Sequence, residues 1–347
     1  MNRASADVER GTDAGLLGAS PFDLPISQTD IPLRFARPPD RPHWPIDLTR
    51  AFVARLWRSG CAAGHGAASC VERGPGRRCE QPLACAAHRL VPMDDKAGSE
   101  QVCRLALAAL PGGAGAAAGQ AVLRLRLVGA SVAGQTAPVL ALLQSLLQGD
   151  GLREAAGANL ALFMGASASA FTVAQRAAQL AQHRRWRLVL LAPWVVQHGG
   201  QPLDLGWLLS DLWAPKGPIL RRVFKLVASD LAERAHHASG GPTGSPTGEP
   251  TDAGVDSPAP GQWALQARQL MSDSLPAVRT DAVHLSTHTH REAEDRFHRQ
   301  CVQGSLCFSV SSAAAALDLA ALLAIAEVMG LGRETAKGYG AVQVFGL

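Results

Sequence analysis

The chain has little lysine, a single tyrosine and no stretch that resembles a secretion signal. Of its 33 basic residues only four are lysine. The first 25 residues lack the apolar core of a signal peptide, so we expect a cytoplasmic protein. The most apolar segment, residues 311–330, carries Asp318 and Glu327. It is therefore predicted to be a buried helix rather than a membrane span, and no membrane partner is expected.

The excess of arginine has two interpretations. The planar guanidinium group suits phosphate, so this composition is compatible with a nucleic-acid surface. Codon bias in a GC-rich genome would also raise arginine, together with alanine, glycine and proline. Composition leaves both interpretations open.

The seven cysteines are an odd number, which favours free thiols or metal ligands over a disulfide framework. Residues 60–96 form an irregular stretch that we interpret as an insertion. It contains four of the cysteines: Cys61, Cys70, Cys79 and Cys85. Four thiols could hold one structural zinc ion, but the C-x2-C spacing of a zinc knuckle is missing, so zinc is left open. The other three accompany strand patterns and are expected in the core: Cys103, Cys301 and Cys307.

The same order of elements is predicted twice along the chain. The first half alternates strand, helix, two strands, helix and strand, at residues 30–37, 47–60, 103–110, 121–130, 137–148 and 158–166. Asp47 is the expected cap of the first helix. The second half follows the same scheme, with a first strand that Pro193 interrupts: residues 185–196, 205–234, 282–290, 304–311, 311–330 and 339–347. Two β-α-β-β-α-β units predict an α+β fold with tandem ferredoxin-like, RRM-like domains.

The domain limits follow from these patterns. We place the first domain at residues 26–180, behind a flexible N-terminal segment, residues 1–25, and the second at residues 181–347. Residues 238–262 contain no aromatic residue and one large aliphatic residue, Val255. They cannot bury enough apolar surface to offset their ordering entropy and are predicted to be a disordered loop.

A glycine-rich basic loop lies near the end of the chain, in the segment GLGRETAKGYGAVQV, residues 330–344. A Rossmann fingerprint follows a strand and opens a helix, whereas this loop follows a helix and precedes a strand, so dinucleotide binding is not favoured. A helix C-cap and a tight turn explain one or two glycines. Four glycines with cations between them favour a backbone that approaches phosphate closely. The residues concerned are Gly330, Gly332, Arg333, Lys337, Gly338 and Gly340.

The G-x-G-x5-G-x-G frame before a last strand resembles the hallmark of the RAMP superfamily of CRISPR-associated proteins. Within it the chain is most similar to the sixth CRISPR-associated (Cas) protein family, endoribonucleases that process precursor CRISPR RNA for antiviral defence. Three further stretches agree with that family: LTRAFVARLWRSGC, RLRLVGA and HTHREAEDRFHRQCVQGSLCFSV. The resemblance implies tandem ferredoxin-like domains that bind CRISPR repeat RNA.

The resemblance also implies the chemistry. The 2′-OH beside the scissile phosphate attacks it and leaves a 2′,3′-cyclic phosphate, so a base, an acid and cations are needed but no metal cofactor. Family members usually carry a histidine in or near the first helix. Here Ala54 or Arg55 fills that place, and His43, just ahead of the helix, is the nearest imidazole. The alternative is a non-catalytic RAMP subunit that holds the CRISPR RNA handle, with other Cas proteins, in an interference complex. An RNA-binding protein unconnected with CRISPR is a third option.

The candidate catalytic residues are His43, Arg50 and Arg55. An unperturbed histidine titrates near neutral pH, which suits acid–base work, although His43 could equally be a loop residue wedged among prolines. Arg50 and Arg55, with Arg58 as a candidate RNA contact, have a helical spacing that could present one basic face, and a solvated surface is the alternative. Tyr339 either stacks on a base or packs at the start of the last strand.

Residues 284–299 form the densest basic stretch of the chain. They supply further RNA-binding candidates, above all Arg291 and Arg299. Two of its histidines, His288 and His290, would share one face of a strand, which permits metal binding. The nearby carboxylates match no metal-site spacing, so RNA contact is preferred. The remaining basic residues of this stretch are His284, Arg296 and His298.

Overall fold

The structure of the protein is a computed structural model. It describes residues 24–35, 39, 44–59, 86–91, 104–110, 119–129, 132, 134–148, 161–163, 165–195, 278–291, 298–331 and 338–347. Several predicted features lie outside these residues. Among the segments these are the flexible N-terminus as far as residue 23, the helical region 205–234 and the disordered loop 238–262. Among the candidate residues they are His43, Cys61, Cys70, Cys79, Cys85, Cys103, Arg296, Gly332, Arg333 and Lys337.

The first half of the chain forms one antiparallel sheet and its helices. The elements are β1 (Pro25–Phe35), α1 (Trp44–Ser59), α2 (Ala86–Leu90), β2 (Leu105–Leu110), β3 (Gln120–Val128), α3 (Thr136–Gln148), β4 (Ala161–Phe163), β5 (Ser167–Thr172) and α4 (Val173–Leu180). The strand order is β2-β3-β1-β4, and β5 continues the line of β4 along β1. This order is the one that a ferredoxin-like βαββαβ unit produces.

The second half forms a sheet of the same kind. Its elements are β6 (Arg185–Leu190), β7 (Trp194–Val195), β8 (Val278–Arg291), β9 (His298–Val310), α5 (Ala313–Met329) and β10 (Val342–Gly346). The order is β10-β6-β9, with β8 on the other side of β9. β6 ends before Pro193 and β7 resumes after it, as predicted from the missing backbone donor of proline. The two sheets confirm the prediction of an α+β fold with tandem ferredoxin-like domains.

Two apolar cores stabilise the sheets. In the first, α1 and α3 cover the side of the sheet that carries Leu123 and Leu125. In the second, α5 packs on Trp186 and Leu188, and Leu180 of α4 joins the same core. Ser312 caps the start of helix α5, since its side chain accepts from Ala315 N, and most of the helix residues are buried. The prediction of a buried helix at residues 311–330 is confirmed. None of the described helices combines the length and the apolar character needed to cross a membrane.

One sequence-based expectation needs correction. Helix α1 begins at Trp44, so Asp47 lies in its first turn and is not its cap. The earlier start is compatible with Pro45 because the first turn needs no backbone N–H from this residue, and the Trp44 ring contacts Phe35 edge-on, with 5.2 Å between the ring centroids.

Residues 60–96 are predicted to be an insertion between α1 and β2, and the structure describes residues 86–91 of this range. Ala87 and Leu90 of α2 are fully buried there in the first core, so this part of the range packs against the first sheet and its helices.

Candidate nucleic-acid interface

Backbone hydrogen bonds hold the two ends of the glycine-rich loop together, and we call these joined ends its closed base. Leu331 N donates to Gly340 O at 2.7 Å, and Gly340 N donates to Pro193 O at 2.9 Å. Gly330 ends α5 with φ 72°, and Gly340 has φ 68°. A Cβ atom on residue 340 would overlap the carbonyl group of Leu331. Glycine is required at these positions because both adopt the left-handed region and one of them touches backbone.

The loop rests against the first helix of the first domain. Gly338 has φ 91°, and a Cβ atom there would lie 2.8 Å from Thr49 Oγ1 in α1. Tyr339 is buried, 1% exposed, in a small cluster with Ile46 of α1 and with Val195 and Cys301. Of the two alternatives for Tyr339, packing is therefore correct. The contacts bring the C-terminal loop and α1 together across the two domains.

The three arginines of α1 do not form one basic face. With 3.6 residues per turn, Arg50 follows Ile46 by about one turn and borders the flank that touches the loop. Arg55 lies on the opposite flank, where its Nη2 donates to Ser145 Oγ of α3 at 3.4 Å. Arg58 is exposed on the solvent side between these flanks. Among the three, Arg50 is the one whose position around the helix is nearest to the flank that touches the loop.

Next to the loop, a buried ion-pair network joins the two sheets. Arg126 of β3 donates through Nη2 to Glu327 Oε1 at 2.8 Å and through Nη1 to Glu327 O at 2.6 Å. Arg176 of α4 donates to the other carboxylate oxygen, Glu327 Oε2, from Nε at 3.0 Å and from Nη2 at 2.8 Å. Burial lowers the pKa of Arg126, and the Glu327 charge opposes that shift. Two guanidinium groups thus compensate one acid that is 4% exposed.

The network continues to the edge of the second sheet. Arg124 forms a bidentate ion pair with Asp30, with both distances 2.7 Å, and also donates to Gln343 Oε1 of β10. Gln343 Nε2 in turn donates to Glu327 Oε1 at 2.9 Å. Sequence reasoning missed this network. The sequence did contain a signal. Strand β3 carries two arginines at alternate positions and the apolar helix α5 carries a glutamate, and a charged side chain that becomes buried needs a partner of opposite charge.

A cavity of about 30 Å³ lies where the network meets the loop. Arg124, Arg126 and Glu327 line it from one side and Gly338 and Tyr339 from the other. It has room for about two water molecules. This cavity is too small for a nucleotide.

The second basic candidate region is the β8–β9 hairpin. In its register His290 pairs with Arg299 and Arg291 with His298, which brings four basic residues to one end of the hairpin. His288 pairs with Cys301 nearer the middle of the sheet. The predicted RNA contacts Arg291 and Arg299 are thus at the same end. Among the described residues, no three or more His, Cys, Asp or Glu side chains are grouped to hold a metal ion.

The cysteines agree only partly with expectation. Cys301 is fully buried, as predicted for a small core residue. Cys307 is only half-buried, because it lies on the face of β9 that α5 does not cover. Both are free thiols. The zinc site remains a prediction, since its four cysteines lie outside the described residues.

Comparisons with known proteins gave likenesses to solved structures only. No family model matches the chain, and no curated protein matches it. A Cas6 product complex is 15% identical over 92% of this chain and 99% of the other, with a TM-score of 0.47. Cas6 of Thermus thermophilus is 15% identical over 94% and 100%, with a TM-score of 0.46. A Cas6-related protein of Pyrococcus furiosus is 12% identical over 92% and 98%, with a TM-score of 0.36.

Proposed function

We propose that this protein binds CRISPR repeat RNA and cleaves precursor CRISPR RNA without a metal ion, as an endoribonuclease of the RAMP superfamily. One observation carries the proposal. The glycine-rich loop, with its G-x-G-x5-G-x-G frame, has a closed base that lies against α1 through Gly338 and Thr49. The loop expected to hold phosphate and the helix expected to carry the chemistry are therefore neighbours.

RNA binding is assigned first to the loop. Residues 332–337 connect two fixed points, Leu331 and Gly338. Arg333 is two residues from one fixed point and Lys337 is next to the other. Both cations are therefore close in sequence to the base of the loop, and backbone N–H groups of a glycine-rich turn can bind the same phosphate. Arg58 on α1 and the basic end of the β8–β9 hairpin would extend the contact along the RNA.

Cleavage is assigned to the start of α1. A general base removes the proton of the 2′-OH, and the oxygen then attacks the adjacent phosphorus. The bond to the 5′-oxygen breaks, and that oxygen receives a proton from a general acid. His43 immediately precedes Trp44, the first residue of α1, and is proposed as the acid or the base. Arg50, which borders the flank that touches the loop, is proposed to stabilise the charge on the pentavalent phosphorus. Arg55 is the weaker candidate because it lies on the opposite flank.

A second candidate function is a non-catalytic RAMP subunit. The observation that favours it is the composition of α1, whose residues WPIDLTRAFVARLWRS include no histidine. Such a subunit would hold the CRISPR RNA handle and act together with other Cas proteins. In either case we propose a cytoplasmic protein, without a membrane partner. A structural zinc ion at Cys61, Cys70, Cys79 and Cys85 would be additional, and metal analysis of the purified protein would detect it.

The deciding experiment is incubation of the purified protein with end-labelled repeat RNA in EDTA. We expect cleavage at one position, a product with a 2′,3′-cyclic phosphate, and no cleavage when a single 2′-deoxy nucleotide precedes the scissile phosphate. A requirement for Mg²⁺ would contradict the 2′-OH mechanism. Tight binding of the repeat with no cleavage would favour the non-catalytic subunit, and absence of binding would contradict both functions.

A further inference from the structure

The second sheet has one face covered by α5, and part of its opposite face is exposed. Alternate residues of its central strand β6, Trp186 and Leu188, are buried under α5. The residues between them point to the other side. We call this exposed part the outer face and define it by five residues that neighbour each other in the sheet register: Arg185, Arg187, Cys307, Ser309 and Phe345.

An aromatic ring and a guanidinium group stand side by side on the outer face. Phe345 of β10 is directly opposite Arg187 of β6 in the strand register. The Phe345 side chain is 43% exposed, although its strand neighbours Val342 and Val344 are fully buried. Arg187 is exposed, and its one side-chain hydrogen bond with the described residues is a long one of 3.5 Å to Ser305 Oγ. Its charge is not neutralised by a carboxylate among these residues.

The surroundings of this pair are basic. Arg185 and Arg279 have side chains that are 56% and 85% exposed. Both are near one carboxylate, Asp281, at 2.9 Å and 3.7 Å, and that carboxylate also accepts from Ser309 Oγ. Together with Arg187, three guanidinium groups thus face one carboxylate. The outer face therefore carries a net positive charge that complements phosphate.

We infer that the outer face binds unpaired nucleotides of RNA, with a base stacked on the Phe345 ring and an adjacent phosphate bound by Arg187. An exposed aromatic ring beside arginines, on the surface of an antiparallel sheet, is the arrangement that holds splayed bases. An A-form duplex cannot use it, because its bases are already stacked on one another. Among the described residues, the large apolar side chains exposed on this face are Phe345 and Leu347, too few for the apolar centre of a stable protein interface.

The inference rests on the proposed function, since it gives the same RNA a second contact. From Gly340, at the base of the glycine-rich loop, to Phe345 the chain advances five residues, or about 17 Å along an extended strand. An RNA held at the loop could therefore continue onto the outer face with its unpaired flank. The two contacts are separate enough that one can be removed by substitution without touching the other.

The test uses two probes that do not depend on any repeat sequence, single-stranded oligouridine and a blunt RNA duplex. Binding is measured by fluorescence anisotropy for the wild type, Phe345→Ala, Phe345→Leu, Phe345→Trp and Arg187→Ala. Since stacking on an aromatic side chain contributes about 1–3 kcal/mol per base, Phe345→Ala and Phe345→Leu should weaken oligouridine binding about tenfold or more. Binding of the duplex should not change, and Phe345→Trp should retain the affinity. Arg187→Ala should lower the salt slope of oligouridine binding by about one.

The matched control is Leu317→Ala, which removes another exposed apolar side chain, 61% exposed, from α5. It should bind both probes like the wild type. Should Phe345→Ala not fold, ultraviolet cross-linking of oligouridine to the wild type decides the matter. A cross-linked peptide that contains Phe345 supports the inference, and cross-links found elsewhere overturn it.

The outcomes separate this inference from the proposed function. Equal oligouridine binding by wild type, Phe345→Ala and Phe345→Leu overturns the inference, even if repeat RNA is cleaved as proposed. Phe345-dependent binding of oligouridine without binding or cleavage of repeat RNA supports the inference and contradicts the proposed function. A wild-type protein that binds neither oligouridine nor repeat RNA contradicts both.

Discussion

Thr49 of α1 lies so close to the Gly338 backbone that a Cβ atom on residue 338 would stand 2.8 Å from Thr49 Oγ1 and 3.0 Å from Thr49 Cβ. The hydroxyl group is itself held, because it donates to Pro45 O at 2.8 Å. The threonine therefore cannot easily move aside. The first helix and the last loop of the chain are fitted to each other at this point, and RNA binding should depend on that fit.

Gly338→Ala should destabilise the protein and weaken RNA binding. The φ of 91° at this position costs a residue with a Cβ atom about 1–2 kcal/mol, and the clash with Thr49 adds to it. Thermal unfolding and repeat-RNA affinity measure the two effects, and Thr49→Ala in the same chain should restore part of the loss. Gly134→Ala is the matched control, since a Cβ atom there meets nothing within 4 Å. Equal behaviour of the two alanine variants would refute the role given to Gly338.

Glu327→Gln should cost about 3–5 kcal/mol in the free energy of unfolding, because it leaves the buried Arg126 and its neighbour Arg176 without a compensating charge. Denaturant unfolding measures the loss. Arg279→Ala is the control, as it breaks a largely exposed contact of 3.7 Å and should cost no more than about 1 kcal/mol. The role of the network would be wrong if both variants unfolded at the same denaturant concentration.

Arg333→Ala and Lys337→Ala should each weaken binding of repeat RNA and lower the slope of log affinity against log salt by about one, since each removes one phosphate contact. Titrations at several salt concentrations measure the slope. Lys337→Arg keeps the charge and serves as the control. An unchanged slope in the alanine variants would exclude the loop as the phosphate-binding element.

His43→Ala should slow cleavage about 100-fold or more while it leaves RNA binding intact, because a general acid or base acts on the reacting protons and contributes little to the ground-state complex. Single-turnover cleavage and equilibrium binding separate the two effects. A plot of the cleavage rate against pH should also lose the change of slope that lies near the pKa of a histidine. Cleavage at the wild-type rate would remove His43 from the mechanism and leave the arginines of α1.

Arg50→Ala should lower the cleavage rate more than Arg55→Ala. Arg55 lies on the flank of α1 that faces α3, whereas Arg50 borders the flank that touches the glycine-rich loop. Both variants lose one positive charge from the same helix. A difference between them therefore cannot come from the loss of charge alone. The single-turnover rates should differ about tenfold or more if Arg50 stabilises the charge on phosphorus. Equal rates would contradict the assignment.

The sequence predicted the fold more fully than the site. Alternation in β3, the break at Pro193 and the apolar run of α5 are local patterns, so they are visible without tertiary structure. The pairing of Arg126 with Glu327 joins residues far apart in sequence and could be anticipated only as a requirement that buried charges find partners. The order of the arginines around α1 is also a tertiary property. Their spacing allowed one basic face. The structure instead directs Arg55 to Ser145 of α3, whereas Thr49 marks the flank of α1 that touches Gly338, and Arg50 borders that flank.

The ion-pair network between the sheets also protects one edge of the second sheet. β10 is an outer strand, and an outer strand with free backbone groups can pair with another chain and start aggregation. Here Arg176 Nη2 donates to the Val344 carbonyl oxygen at 2.7 Å, while the Gln343 side chain is bound to Arg124 and Glu327. A foreign strand would have to displace these charged partners before it could pair with β10. Among the strands that the structure describes, β8 is then the edge strand at which another strand can still be added to the second sheet.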